Sequence, residues 1–236
     1  MALLRTLLLL PAFAFVGGLA LLAWNGSAFA SYAPSPNPPQ TIVIGIDLSA
    51  SNPLIRDDGF AGRVAARIQP MIAGLAPHSR VLLRSFGAYN SASNNTLSLD
   101  LVIAPKTARA EDMARLIGGV IGGLPQMVRQ GRVQVQNSTN IVPFLMNISK
   151  NVDCRAMPVH IILASDGVED SQVANLKRRS ATLPKPDAIF AGCEELMILG
   201  IGRGLNSPAD TERLRAEWMN WAQMAGFKTF TALNDW

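Results

Sequence analysis

Three short apolar runs constrain this chain more than any other feature: TIVIGI at 41–46, VHIILA at 159–164 and LMILGI at 196–201. Each is rich in branched aliphatic residues, shorter than a packed helix, and lacks the strict polar–apolar alternation of a half-exposed strand. Such runs fit strands buried on both faces. Between them the hydrophobic period changes. Val64, Ile68, Ile72 and Leu75 recur at helical spacing, with Pro70 as a candidate kink, and Met113, Leu116, Ile117, Val120 and Ile121 share one face of a helix expected over 108–124. Thr107 or the residue after it is a candidate cap for that helix, since Glu111 and Asp112 fall in its first turn. Further helices are expected over 141–148, with Pro143 in the first turn, and over 210–225, carrying Leu214, Trp218, Trp221 and Met224. Strands at 81–86, 97–103 and 227–233 complete the set, and the Asn- and Ser-rich loop 87–96 suits a hairpin. This order predicts an α/β fold: a doubly wound, mostly parallel six-stranded sheet with helices on both faces and one antiparallel edge strand.

The first thirty residues read differently. Arg5 precedes an uncharged, Leu-rich run from 6 to 24, and a polar stretch then leads to Ala28-Phe29-Ala30. That is the layout of an export signal with a small-x-small cleavage site, so 1–30 is read as a signal peptide or, if retained, an N-terminal membrane anchor. Either way the chain that follows is exported, to a periplasmic or extracellular compartment. Pro34, Pro36, Pro38 and Pro39 make 31–40 an extended linker. Residues 41–236 are expected to form a single domain, and the 49% hydrophobic content supplies its core. The net charge is only +4. The densest basic cluster, Lys177-Arg178-Arg179, is short and reads as a solvated face, so no nucleic-acid partner is expected.

In open α/β sheets, ligands bind beyond the carboxyl ends of the strands, where strand order reverses. The first run ends in Asp47-Leu48-Ser49-Ala50-Ser51, with oxygen side chains at alternating positions. The 159–164 run ends in Ser165-Asp166-Gly167, where glycine allows a tight turn behind a carboxylate, and Thr139 stands before a helix. Two carboxylates and three hydroxyls are hard oxygen donors that suit one Mg²⁺ or Mn²⁺ ion. His78 and His160 are far apart and read as structural or solvated, so zinc is not expected.

The motifs IGIDLSAS, NSTNI and IILASDG, followed by MILGIGRG, resemble the von Willebrand factor A and integrin I domains from about residue 41 to the C-terminus. The resemblance implies a Rossmann-like fold with a metal-ion-dependent adhesion site whose ligands are Asp47, Ser49, Ser51, Thr139 and Asp166, some through water. It also implies a protein partner that supplies an Asp or Glu carboxylate to the metal. One departure touches Thr139, which follows Asn137 and Ser138 where the family often has glycine. The family's strand order would also bring Cys154 and Cys193 together ahead of neighbouring strands. A disulfide is therefore expected in an oxidising compartment, against the alternative of two small buried thiols.

Two rival readings remain at this point. A structural envelope component would have a purely structural or empty metal site, with Asp47 and Asp166 as capping residues. A phosphohydrolase of the haloacid-dehalogenase type would use Asp47 as nucleophile, yet the position for its general acid is Ser49, a poor proton donor. No G-x-S-x-G elbow, phosphate-cradling G-x-x-x-x-G-K-[ST] or His-centred triad is present, so a non-enzymatic binding domain is expected.

Overall fold

The computed structural model describes residues 37–88 and 97–236. The expected export signal, most of the proline linker and the tip of the loop 87–96 lie outside the described residues. Six strands form one sheet: β1 (Thr41–Asp47), β2 (Arg80–Phe86), β3 (Ser98–Val102), β4 (Val159–Ala164), β5 (Glu195–Leu199) and β6 (Thr229–Leu233). Their order is β3-β2-β1-β4-β5-β6, all parallel except β3, which runs antiparallel to β2 at the edge. The expected doubly wound sheet is the one observed.

Alternation along the strands divides the interior into two cores. Ile42, Ile44 and Ile46 of β1 and Ile162 and Ala164 of β4 face one side, packed by α1 (Asp58–Ala73), α2 (Ala110–Gly122) and α3 (Leu124–Arg129). Val43 of β1 and Val159, Ile161 and Leu163 of β4 face the other, packed by α4 (Ile141–Ser149) and α5 (Pro208–Ala225). Trp218 and Trp221 of α5 are buried in this second core. Full burial of the aliphatic side chains around them stabilises by roughly 1.5–3 kcal/mol each. Gly45 sets the approach of α4 to β1: a Cβ there would stand 2.7 Å from Leu163 and 2.8 Å from the Phe144 ring.

Several boundaries differ from expectation for local reasons. The helix expected over 108–124 runs only from Ala110 to Gly122, and a short helix that was not expected, Leu124–Arg129, follows it. Ala104 and Ala108 exchange two backbone hydrogen bonds of 3.0 Å, which keeps Ala108 out of the helix and makes Arg109 the N-cap, with no side-chain capping bond. Thr107 therefore caps nothing. At the other end Gly123 closes α2 and Pro125 opens α3, proline being well suited to a first turn. Pro70 lies in the last turn of α1, and the helix continues through it to Ala73. The strand expected to reach residue 201 stops at Leu199 because Gly200 turns the chain at φ 110°, a conformation that strongly favours glycine. Asp57, just before α1, accepts from Phe60 N–H at 2.9 Å and caps that helix.

Residues 165–194, between β4 and β5, contain no helix or strand. Leu176, Leu183 and Phe190 anchor this connection in the second core, and Glu217 of α5 accepts from Leu183 N–H at 2.6 Å. Its far end is tied by the Cys154–Cys193 disulfide, whose Cα atoms are 4.7 Å apart. The bond joins the segments just ahead of β4 and β5, the pairing expected above. It fits an exported protein held in an oxidising compartment. Among the described residues no helix is long and apolar enough to cross a membrane. His160 sits on β4, 3.6 Å from the Glu195 carboxylate on β5, in a structural setting. Lys177 and Arg179 are exposed and form ion pairs with Asp170 and Asp210.

Candidate functional site

The strand order reverses between β1 and β4: from β1 the chain runs outward to β2 and β3, and from β4 outward to β5 and β6. The crevice beyond the carboxyl ends of these two strands is thus where the fold leaves room for a ligand. Asp47 is the last residue of β1, and Asp166 follows β4 by one residue beyond Ser165. The topology alone places the two aspartates across this point from one another.

Local hydrogen bonds fix the rest. Asp47 accepts from Ser49 N–H at 2.8 Å on Oδ1 and from the Ser165 hydroxyl at 2.7 Å on Oδ2. Ser49 Oγ and Ser51 Oγ are 3.2 Å apart. Asp166 Oδ1 accepts from Val168 N–H at 2.9 Å, a turn that Gly167 permits with φ 74°. Asp47, Ser49, Thr139 and Asp166 are buried, whereas Ser51 is exposed and opens the site to solvent.

Thr139 arrives by backbone pairing. Gln136 bonds both Leu48 O and Ala50 N, at 2.9 and 2.8 Å, which lays the segment before Thr139 along the Ser49 turn. On its other side Thr139 exchanges two backbone bonds with Asp170, at 3.2 and 2.9 Å. Three of the predicted residues are thus linked by hydrogen bonds, Asp47 to Ser49 through the Ser49 amide and Ser49 to Ser51 through their hydroxyls. Thr139 is held beside them through the main chain.

Three supporting residues escaped the sequence reading. Asn52 donates from Nδ2 to Asp47 O at 2.7 Å and Ala164 O at 3.0 Å, tying the ends of β1 and β4 together. Its position before Pro53 was a signal for a turn cap, a role it also fills for Leu54 N–H. Ser165 stood inside the quoted motif, but its bond to Asp47 depends on strand pairing. Trp218 donates from Nε1 to Gly167 O at 2.7 Å and thereby holds the turn that carries Asp166. Trp218→Phe is expected to leave that buried carbonyl unpaired and cost about 1–3 kcal/mol. Thermal unfolding of the variant checks this, and an unchanged midpoint would show that the bond does not support the turn.

Burial holds Asp47 well above the usual carboxylate range; the nearby Asp166 charge adds to this, and the Ser165 and Ser49 bonds only partly offset it. Asp166 is raised as well, chiefly by burial, against the opposing bonds of Val168 and Ser51 and the Lys177 charge. Two buried carboxylates at one strand switch point repel, and a cation between them would relieve both. Their oxygens and the three hydroxyls could hold one hard divalent ion.

No family model matches the chain, and no curated protein sequence does. Among solved structures the chain is similar to the pilus adhesin SpaC from Lactobacillus rhamnosus GG in its open conformation, with TM-score 0.47, 13% identity, and coverage of 86% of this chain and 28% of that one. A second SpaC structure gives TM-score 0.47 and 15% identity over 86% and 29% of the two chains. The human COPII-coat protein Sec24c gives TM-score 0.38 and 13% identity over 85% and 30%. The chain spans less than a third of the length of each of these structures. Nothing about site or activity follows from likenesses of this order.

Proposed function

We propose that residues 41–236 form an exported, metal-dependent protein-binding domain of the von Willebrand factor A type. In this reading Asp47, Ser49, Ser51, Thr139 and Asp166 hold one Mg²⁺ or Mn²⁺ ion, and a partner protein adds an Asp or Glu carboxylate. The observation that carries it is the pair of buried, mutually repelling aspartates at the β1–β4 switch point, surrounded by hydroxyls. Two carboxylates roughly neutralise one divalent ion, while the hydroxyls bring no charge. An ion so held stays electrophilic and favours a further anionic oxygen in place of a water. Ser51, on the exposed side, marks the direction from which that oxygen would come.

A hydrolytic role for Asp47 is less well supported. Both its oxygens already accept hydrogen bonds, from Ser49 N–H and Ser165 Oγ–H, and Ser49 stands where a general acid would be needed. The domain is therefore proposed to act by binding and not by catalysis.

Titration with Mg²⁺ or Mn²⁺ is expected to raise the melting temperature of the wild-type domain, since an ion that binds only the folded state stabilises it. Asp47→Ala should abolish the rise. An Asp47→Ala variant that responds like wild type would sink the assignment of the site. With a purified partner, EDTA should release the complex and Mn²⁺ restore it; affinity unchanged by chelator would leave the ion a structural role only.

A further inference from the structure

We infer that Glu169 is a positioning residue for this site, tethering the segment that carries Thr139 to the segment that carries Asp166. The inference rests on the metal-site reading above and extends it to a residue with no expected role as a ligand.

Glu169 has 0% solvent exposure and lies three residues beyond Asp166, at the start of the irregular β4–β5 connection. Its Oε2 accepts from the backbone N–H of Ile141 at 2.8 Å and of Val142 at 2.9 Å, the first two residues of α4. Those are N–H groups that a helix cannot satisfy internally. A local cap would ordinarily take them, but Asn140 makes no side-chain capping bond and turns its Nδ2 to Gly87 O instead. The cap thus comes from a different loop.

The neighbouring residue completes the tie. Asp170 exchanges its two backbone bonds with Thr139, and its side chain accepts from Asn175 Nδ2 at 2.8 Å and pairs with Lys177. Leu176 N–H also bonds Glu169 O at 2.8 Å, so 169–177 closes on itself as a small hairpin. On this side of the site, the separation between Thr139 and Asp166 is set by two hydrogen bonds that the Glu169 carboxyl oxygen accepts and two backbone bonds with Asp170. Both amides converge on one buried oxygen, so the tie depends on where Oε2 stands.

Reach and charge can be separated by substitution. Glu169→Gln keeps an oxygen at the same distance and loses the charge. Glu169→Asp keeps the charge and withdraws it by one methylene. If placement is the role, Mn²⁺ affinity, read by titration calorimetry, should remain near wild type in Glu169→Gln and fall by roughly tenfold in Glu169→Asp and Glu169→Ala, the scale of losses beyond direct ligands. Glu217→Ala, which removes the carboxylate bound to Leu183 N–H elsewhere in the same connection, serves as control. It should lower thermal stability and leave Mn²⁺ affinity unchanged. Backbone amide exchange at Thr139 and Asp170 in metal-free protein reads the tether directly. It should be at least tenfold faster in Glu169→Asp and near wild type in Glu169→Gln.

Wild-type Mn²⁺ affinity in Glu169→Asp and Glu169→Ala would overturn the inference, as would unchanged exchange at Thr139. A wild-type domain that binds no Mn²⁺ would instead refute the metal-site reading, while the exchange measurement would still decide whether Glu169 holds the two segments together. Should Glu169→Ala fail to fold, the Gln and Asp variants carry the same comparison.

Discussion

Removing the Cys154–Cys193 cross-link, by reduction or by paired Cys154→Ser and Cys193→Ser substitutions, is expected to destabilise the domain by about 4 kcal/mol. That is the chain-entropy value for releasing a loop of this size, given a sequence separation of 39 residues. At roughly 2–4 °C per kcal/mol for a domain of this length, the melting temperature should fall by about 8–16 °C. The local architecture explains why the bond matters. The connection enclosed between β4 and β5 has no helix to hold its own backbone, and Leu176, Leu183 and Phe190 are its main apolar anchors. The disulfide fixes the end farthest from the candidate site, where Cys193 is itself buried in the second core. Unfolding curves with and without reductant measure the effect. Coincident midpoints would show that the core alone keeps the connection in place.

Replacing Asp47 by asparagine is expected to change stability in opposite directions with and without metal. The Asp47 carboxyl is pushed up to about 7, first by burial and then by the Asp166 charge. A group whose pKa is higher in the folded state stabilises the fold below its ordinary value, near 3.8, and that stability is lost as pH rises towards 7. The metal-free wild-type domain should therefore be less stable at pH 8 than at pH 5, as far as this site is concerned. Asp47→Asn removes the repulsion at little steric cost. It should raise the metal-free melting temperature at pH 8 by several degrees and flatten its dependence on pH. Added Mn²⁺ should stabilise wild type more at pH 8 than at pH 5, since Asp47 has lost its proton there, and leave Asp47→Asn unmoved. Thermal melts at the two pH values, with and without Mn²⁺, give all four comparisons. A metal-free Asp47→Asn domain less stable than wild type at pH 8 would mean that the carboxylate is structurally needed, against the charge argument.

The sheet was legible because β1, β4 and β5 are buried on both faces, and only continuous apolar sequence can satisfy that environment. Local composition also marked β3, whose exposed and half-buried residues alternate as an edge strand requires. The short helix α3 was missed because six residues behind Gly122 and Gly123 are too few to show a helical period. At the candidate site, Asp47, Ser49, Ser51 and Asp166 were visible because strand ends expose their following residues at the switch point. Thr139 was the harder placement, since its position depends on pairing with Asp170 and on the Gln136 bridge. Glu169 had no sequence signal. A lone glutamate in a polar stretch looks like any surface residue until α4 is seen resting on it.

The irregular β4–β5 connection also bears on how such a surface could be redesigned. A helix in that place would tie every outward residue to a fixed spacing, and a change of length would rotate the whole face. The segment that is present is fastened at separate points: Glu169 and Asp170 near the candidate site, Leu176 and Leu183 along the core, Cys193 at the far end. The stretches between them, including Gln172, Val173 and 178–180, are exposed. Those stretches can exchange residues or gain length without shifting the register of β4 against β5. On the proposed binding role, the rim beside Asp166 is a replaceable panel on a fixed frame, and recognition of different partners would diverge there while the five oxygen-bearing residues stay as they are.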